Sequence, residues 1–445
     1  MIRVRFAASP VGPLFVSGAR VALANHLFAR RGDGRLLLRL DDLDQERSSP
    51  AHVMQMMQDL RWFGIEWDDC AQQSERLELY LEAISRLKQR GLMYPCFESE
   101  AELRAKREFR RKRNQSTVYD REMLSLTARQ RDAAEAGGKR PHWRLRLSGR
   151  VIEWRDMIAG DRRTALTSVS DPVLVRADGR PMPILASVVD DIAFSTTHII
   201  RGEGNAGHTA IQIELFETLT GAPAMIRFAH LPPLADAAEP APAGVAGRRI
   251  GSLSLRGLRN DGVEPIAIAA CLANCEADQA EPPALNDLAA RFDLKAFAGC
   301  GFDPTRLLAI NRGVLRRMGF AAVADRLPGG ATEAFWLAVR GSLDLLKEVR
   351  GWWDVVGGTI VPPVVENEYG LLATAEAVLP PEPWDGSVWT RWIAALEQAT
   401  GRVGEDLLPP LRLALTGEDT GPDLADLLPL IGRSRAASRL HIAVA

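Results

Sequence analysis

Residues 2–44 read IRVRFAASPVGPLFVSGARVALANHLFARRGDGRLLLRLDDLD. Residues 2–6 alternate apolar and basic side chains, which predicts a strand. A helix is predicted over residues 19–31 and ends at the glycines that follow, and residues 37–40 form a second, buried strand. Carboxylates come directly after that strand: Asp41, Asp42 and Asp44. Strand, helix and strand with polar side chains at strand ends predict a doubly wound α/β domain.

The same alternation continues along the chain. Ser49 and Pro50 are typical of a helix cap and a first-turn proline, and residues 75–90 form another helix. Apolar or alternating runs return further on and predict the second half of the sheet: residues 172–176, 184–189 and 197–201. Residues 231–249 are rich in Pro, Ala and Gly and indicate a loop, and helical periods dominate from about residue 252 to the end.

The composition excludes several classes of protein. The chain has 445 residues, of which 46% are apolar and 25% charged. These values are ordinary for globular protein, exclude a disordered chain and a disulfide scaffold, and allow roughly two to four domains. No run approaches the roughly 20 apolar residues of a membrane helix, and the first residues carry no apolar signal segment. Together with five scattered cysteines, these features predict a cytoplasmic protein that does not bind a membrane.

Basic charge is concentrated in one segment. The net charge of the chain is −2, yet residues 101–150 hold 15 Lys and Arg against 6 Asp and Glu, a local net charge of +9. The densest part is residues 104–113, RAKREFRRKR. Two interpretations stay open at this point: a solvated helix face, or an insertion that contacts phosphate groups.

Several motifs together resemble one family. The opening RVRFAASP, with Gly12, Leu14 and residues 18–20 behind it, resembles the opening of glutamyl-tRNA synthetases, which are class I aminoacyl-tRNA synthetases. Further stretches that resemble the family occur throughout the chain: residues 37–48, 60–68, 73–76, 94–97, 140–144, 170–174, 188–191, 197–203 and 410–417. The resemblance implies the family's fold, an α/β Rossmann-type catalytic domain with an inserted acceptor-binding subdomain, followed by an α-helical C-terminal half.

The resemblance also implies a division of the chain. Residues 1–97 and 173–242 would be the two halves of the Rossmann-type domain, split by an acceptor-binding insertion over residues 98–172. A signature loop and a stem-contact region would follow at residues 243–310, and an α-helical anticodon-binding domain at residues 311–445. The basic segment falls in the insertion, which favours contact with tRNA phosphates. The candidates for that contact are Arg110, Arg111 and Arg113.

The family activates glutamate with ATP and then esterifies the 3′ end of tRNA. The implied ligands are therefore glutamate or a similar amino acid, ATP with Mg²⁺, and a glutamate- or glutamine-type tRNA. By resemblance, Arg5 and Ser9 would hold the amino acid, and Asp41 would neutralise its ammonium group. Arg201, at the end of a later strand, would also face the substrate, since a guanidinium can bind a carboxylate through two parallel hydrogen bonds. A structural ion pair is the alternative for each of these residues.

Two signatures of the family are altered. The first, HIGH, begins a helix with a histidine that points at the ATP phosphates, and residues 15–18 at that position read FVSG. Phe15 donates no hydrogen bond to a phosphate, Ser17 replaces a glycine that lets the nucleotide approach the backbone, and Gly18 is retained. The second signature has a lysine that stabilises the charge developing on the phosphoryl group. Arg248 stands at that lysine position, as a weak substitute for its charge.

Pocket positions differ as well. Pro183 stands where the family has a tyrosine, and Gly204 and Asn205 replace an acid and a histidine. The motifs that support the fold are thus kept, whereas those that bear the chemistry are changed, which predicts that adenylation is weak or lost. Three interpretations stay open: a divergent ligase, a non-catalytic paralogue that binds tRNA or an amino acid, and an enzyme that uses the pocket for another substrate.

The cysteines do not form a metal-binding motif. Cys271 and Cys275 lie one helical turn apart, whereas a structural zinc site needs four ligands, which usually come in pairs. Burial as small apolar side chains is the preferred interpretation. We therefore predict no metal site and no zinc, and we expect a monomer.

Overall fold

The catalytic half opens with a parallel sheet. The computed structural model describes residues 1–234, 250–274, 284–358 and 360–443. Three parallel strands lie in the order β1-β2-β3: β1 (Arg3–Ala8), β2 (Arg35–Leu40) and β3 (Asp69–Gln72). The helices of this part follow the strands in turn: α1 (Val16–Arg31), α2 (Pro50–Trp62) and α3 (Leu77–Gln89). Ser49 caps α2 by accepting a hydrogen bond from the backbone N–H of His52, which confirms the predicted start of that helix.

A second sheet continues the first. Its order is β7-β6-β10-β9, and its strands are β6 (Val151–Asp156), β7 (Gly160–Ala165), β9 (His198–Gly202) and β10 (Arg227–Leu231). Thr197 joins the two sheets, because its N–H donates to the carbonyl of Arg3 and its Oγ1 accepts from the N–H of Arg3, each at 2.9 Å. The carboxyl ends of β1, β2, β9 and β10 therefore meet at one edge, which is where ligands bind in open α/β sheets.

A small antiparallel sheet lies between these two parts of the chain. Its order is β4-β5-β8, with β4 (Met93–Cys96), β5 (His142–Leu145) and β8 (Val173–Val175). Two helices without buried residues connect β4 to β5: α4 (Glu100–Lys112) and α5 (Ala128–Ala136). The hairpin of β6 and β7 also lies inside the range expected for the insertion, but β6 pairs with β10 and so extends the sheet of the second half.

The prediction of a strand over residues 184–189 is wrong. These residues lie in α6 (Pro183–Ala193), which packs beside α7 (Thr209–Thr220). A short apolar run fits a buried helix as well as a strand, and a proline at the first helical position favours the helix. The helix carries two fully buried carboxylates, Asp190 and Asp191, towards the parallel sheet.

The predicted helical half is confirmed in the described residues after 250. Its helices are α8 (Leu255–Asp261), α9 (Pro265–Leu272), α10 (Leu285–Arg291), α11 (Leu294–Ala298), α12 (Pro304–Arg317), α13 (Glu333–Val339), α14 (Val349–Gly357), α15 (Tyr369–Ala377), α16 (Val388–Thr400), α17 (Gly404–Thr416), α18 (Leu424–Ile431) and α19 (Arg433–Ile442). Fully buried Trp336 and Trp392 belong to one core of this half. Within the ranges described, no helix combines the length and the apolar character that crossing a membrane requires.

Candidate active site

A cavity of about 720 Å³ opens at the carboxyl edge of the parallel strands. Its walls bring together the four residues predicted to bind an amino acid: Arg5, Ser9, Asp41 and Arg201. The first lies on β1, the second directly after β1, the third directly after β2 and the fourth on β9. Strand order thus places residues that are up to about 200 positions apart in the sequence around one space.

Arg5 forms a buried ion pair inside the protein. Its Nε donates to Oδ1 of Asp191 over 3.1 Å, and both side chains are almost completely buried. Burial lowers the pKa of Arg5, and Asp191 works against this effect. Part of the positive charge of Arg5 is therefore already balanced by α6.

Arg39 was missed by the sequence analysis, although it adjoins the predicted Asp41. Its Nε and Nη2 donate to the two carboxylate oxygens of Asp41 over 2.7 and 3.1 Å. Burial alone would lower the pKa of Arg39, but the carboxylates of Asp41 and Asp191 outweigh burial and raise it. The two-residue spacing at the end of β2 was the available signal, because alternate residues of an extended chain project to the same face. Asp41 is thus an ion-pair partner as well as a wall of the cavity.

Arg201 differs in its partners from Arg5 and Arg39, which are paired with carboxylates. It donates to the carbonyl of Asn205, to Oγ1 of Thr209 and to Nε2 of His230, over 3.0 to 3.1 Å. None of these partners is a carboxylate, and no ion pair of Arg201 exists among the described residues. Burial, together with nearby Arg5, lowers the pKa of Arg201 to about 9, so the guanidinium remains charged at neutral pH.

A second cavity, of about 390 Å³, adjoins the first at Val21, a wall residue of both. It lies between the start of α1, the end of β9 and the segment after β10, and it includes Ser17. Phe15 lines neither of these two cavities, and its backbone pairs with Ser254. Gly18 packs against Leu14, whose Cδ1 would lie 2.6 Å from an added Cβ.

The described residues of the second cavity contain one cation. Arg20 is buried, and its guanidinium donates to the main-chain carbonyls of Pro232, Phe297, Ala298 and Cys300. Glu203 is the one carboxylate among the described wall residues. Arg248, the expected substitute for the signature lysine, lies outside the described residues, as does the rest of the predicted loop at 235–249.

A third cavity, of about 420 Å³, lies against the basic insertion. It adjoins the first cavity, because both are lined by Arg144, Ser170, Val173 and Met182. Arg110 is held by Asp120 over 2.7 Å and by the carbonyl of Val118, so the structure gives it an internal role. Arg111 and Arg113 are exposed on the surface.

The described residues contain no cluster of three or more His, Cys, Asp or Glu placed to hold a metal ion. Cys271 is buried in the core, and Cys275 lies outside the described residues. The prediction that zinc is absent remains a prediction.

Comparison with known proteins adds the identity of the family. A family model described as class I tRNA synthetases (E and Q), catalytic domain, matches residues 1–237, and one described as an anticodon-binding domain matches residues 366–444. The chain is 50% identical to glutamate–tRNA ligase 2 of Gluconacetobacter diazotrophicus, with 99% of this chain and 100% of the relative covered. It is 52% identical to glutamate–tRNA ligase 2 of Granulibacter bethesdensis, with 99% and 98% covered.

A solved structure agrees with these relatives. The crystal structure of a glutamate tRNA ligase from Elizabethkingia meningosepticum, in complex with its amino acid, superposes with a TM-score of 0.81 at 25% identity. The superposition covers 100% of this chain and 99% of that one. The fold, the converging strand ends and the full-length relatives lead to one conclusion: the chain belongs to the glutamyl-tRNA synthetase family of class I aminoacyl-tRNA synthetases.

Proposed function

We propose that this protein binds glutamate and tRNA as a glutamate–tRNA ligase and activates glutamate with ATP only weakly. The main support for glutamate binding is the environment of Arg201. Glutamate differs from most amino acids by a second carboxylate, so its pocket needs a cation for that group. Arg201 is buried, lines the cavity and has no carboxylate partner among the described residues. A buried charge of this kind is costly, and the side-chain carboxylate of a ligand would compensate it.

Asp41 supports binding of the amino-acid ammonium group. Its carboxylate lines the same cavity, and its side chain is 21% exposed despite the ion pair with Arg39. Ser9 is exposed at the end of β1 and offers its hydroxyl to the same space. An anion-binding end at Arg201 and Arg5 and a cation-binding end at Asp41 fit an acidic amino acid.

The groove beside Val21 supports the proposed place of ATP, which would enter with its own Mg²⁺. Nucleotidyl transfer depends on positioned charge. The described cation of this groove, Arg20, is occupied by main-chain carbonyls. Phe15 offers no donor at the first signature, which leaves Arg248 to supply charge. Loss of one such donor typically costs about 10²–10³ in rate.

The third cavity and the proposed division into domains support a role in tRNA binding. The third cavity joins the proposed amino-acid cavity, which is the one lined by Arg5 and Arg201, to the basic insertion, where the acceptor end would enter. We propose the boundaries 1–97, 98–172, 173–242, 243–310 and 311–445 for the Rossmann-type halves, the insertion, the loop and stem-contact region, and the anticodon-binding part. A glutamate- or glutamine-type tRNA is the proposed partner, and the protein is proposed to act as a cytoplasmic monomer.

Two measurements on the purified full chain test this proposal separately. Isothermal titration with glutamate, glutamine and aspartate tests the pocket, and we expect glutamate to bind best. Glutamate-dependent ATP–pyrophosphate exchange, with and without tRNA, tests activation. We expect exchange roughly 10²–10⁴ times slower than an ordinary synthetase, because one or two charge donors are missing.

A set of variants tests whether the two altered signatures cause the slow exchange. The combined substitutions Phe15→His, Ser17→Gly and Arg248→Lys should raise the exchange rate in part, since Pro183 and Gly204 remain. Phe109→His is the matched control, because Phe109 is exposed on the insertion away from the groove. Exchange by the unmodified protein at an ordinary rate would contradict weak activation, and absence of glutamate binding would contradict the proposed pocket.

A further inference from the structure

Three buried side chains form a chain of hydrogen bonds behind the amino-acid cavity. Oδ2 of Asp156 lies 2.5 Å from Nδ1 of His230, and Nε of Arg201 lies 3.1 Å from Nε2 of His230. The residues come from β6, β10 and β9, and His230 stands beside Arg201 in strand register. Arg201 lines the cavity, whereas Asp156 and His230 do not. Asp156 and His230 can therefore act on a ligand only through Arg201.

The hydrogen-bond partners fix the protonation state of His230. The Nε–H of Arg201 can only donate, so Nε2 of His230 is the acceptor. An ionised carboxylate can only accept, so Nδ1 carries the hydrogen that His230 donates to Asp156. The imidazole is thus neutral, with its proton on Nδ1.

Backbone amides hold the carboxylate of Asp156 in place. Its Oδ1 accepts from the N–H groups of Ile158 and Ala159, both at 2.9 Å. Burial would raise the pKa of Asp156, but the hydrogen bonds from His230 and from these amides outweigh burial and lower it. Asp156 is therefore an ionised anchor with a fixed orientation.

The same arrangement restricts the guanidinium of Arg201. Nε is held by His230, and Nη2 is held by the carbonyl of Asn205 and by Oγ1 of Thr209. Nη1 forms no hydrogen bond with a described residue and is the group left for a ligand. Further charges close to this group are Arg5 on β1 and Asp191 on α6.

We propose that Asp156 and His230 are positioning residues, which hold the guanidinium of Arg201 in the one orientation that receives the side-chain carboxylate of the substrate. His230 serves as a neutral acceptor, and Asp156 selects the tautomer that makes it one. The inference rests on the proposed function, because it takes glutamate as the ligand of Arg201.

Asp156→Asn is the sharpest test, because the new side chain keeps the shape. Its oxygen would remain on the amides of Ile158 and Ala159, so its NH₂ would face Nδ1 of His230. The imidazole proton would then move to Nε2 and oppose the N–H of Arg201, as an Asp-to-Asn change does in a catalytic triad. His230→Leu removes the acceptor, while His230→Gln restores one that can reach Arg201.

The variants are compared with the unmodified full chain by calorimetric titration. We expect Asp156→Asn and His230→Leu to lower glutamate affinity about 10-fold, the worth of a hydrogen bond to a charged group, with glutamine affinity unchanged. His230→Gln should recover most of the loss. His198→Leu is the matched control, since His198 is a half-buried histidine on the same strand as Arg201 but outside the cavity. Unchanged glutamate affinity in Asp156→Asn, or equal losses in the two His230 variants, would overturn the proposal.

Nitrogen-15 spectra of the histidine side chains separate this inference from the proposed function. If the unmodified protein binds no glutamate, the proposed function fails, and the tautomer alone decides the inference. An Nδ1-protonated His230 that becomes Nε2-protonated in Asp156→Asn supports the positioning chain. An Nε2-protonated or a charged imidazole in the unmodified protein at neutral pH overturns it.

Discussion

The charge and orientation of single side chains at this site depend on charged residues of other strands and helices. Arg39 illustrates this point: it lies between carboxylates of β2 and α6 and is nearly inaccessible to solvent. The family resemblance singled out four residues that the structure brings to one cavity: Arg5, Ser9, Asp41 and Arg201. It did not indicate Asp156 and His230, because their link to Arg201 exists only when β6, β9 and β10 are side by side.

Removal of Arg39 should destabilise the sheet strongly. Arg39→Met leaves Asp41 without its cation and Asp191 with Arg5 alone, and loss of one partner of a buried ion pair costs about 3–5 kcal/mol. We expect the thermal midpoint of the catalytic half to fall by roughly 10 °C. Arg35→Met is the control, because Arg35 lies on the same strand in an exposed pair with Asp69. A change there should stay within about 1 kcal/mol, and equal shifts in the two variants would contradict the assigned role of Arg39.

At the scale of helices and strands, sequence patterns predicted the elements except where an apolar run fitted both a helix and a strand. The start of α2 was predictable from its cap and first-turn proline. Residues 184–189 were not predictable as a helix from periodicity, because both faces of α6 are largely buried. The basic run became α4, a helix without buried residues, which agrees with a surface that is free to meet a ligand.

The exposed arginines of α4 and its C-terminal end should contribute to tRNA binding through phosphates. Arg111→Ala with Arg113→Ala should weaken tRNA binding without unfolding, and should reduce the slope of log affinity against log salt by about 2. Arg110 is left intact, because it holds Asp120. Arg86→Ala on α3 is the control, because Arg86 is also exposed but lies outside the insertion. Filter binding of labelled tRNA at several salt concentrations measures the effect, and an unchanged slope would argue against α4 as a tRNA contact.

Helix α1 is tied to the helical half by Arg20. Its guanidinium bonds the carbonyls of Phe297 and Ala298 on α11. Arg20→Met removes both hydrogen bonds and leaves the Phe297 carbonyl with the N–H of Cys300 alone, so amide hydrogen exchange in α11 should become faster, by about the 10-fold that one charged hydrogen bond is worth. Arg30→Met on the same helix is the control, because Arg30 contacts Asp68 instead. Equal exchange rates in both variants would mean that Arg20 does not anchor α11.

At the scale of the whole molecule, three cavities adjoin along one edge of the sheet. The groove at Ser17 meets the amino-acid cavity at Val21, and that cavity meets the insertion cavity at Arg144. This order fits the proposed ligands, which are ATP in the first of these cavities, the amino acid in the second and the acceptor end of tRNA in the third. The sequence contained the motifs of each part, but their contiguity depends on how α1, β9 and the insertion pack together.

The stability of the whole molecule should fall as the pH drops below neutrality, well before the carboxylates titrate. Burial, with Arg144 beside it, lowers the pKa of His142 to about 4. Burial also lowers the pKa of His26, with help from Arg30, and that of His198, with help from Arg227. The unfolded chain would bind these protons from pH 6.5 downward, whereas the folded chain would resist them. Stability is therefore complete above pH 6.5 and declines towards pH 4.

The contribution of His142 to this pH dependence can be measured separately from those of His26 and His198. Its Nε2 is buried without a hydrogen-bond partner, so protonation there finds no compensating group. After discounting for partial exposure, we expect about 1–2 kcal/mol of stability to be lost from this residue between pH 6.5 and pH 4.5. His142→Phe should flatten the thermal midpoint against pH, while His52→Phe on the exposed start of α2 should leave its slope unchanged. A slope that survives His142→Phe intact would place the acid sensitivity elsewhere.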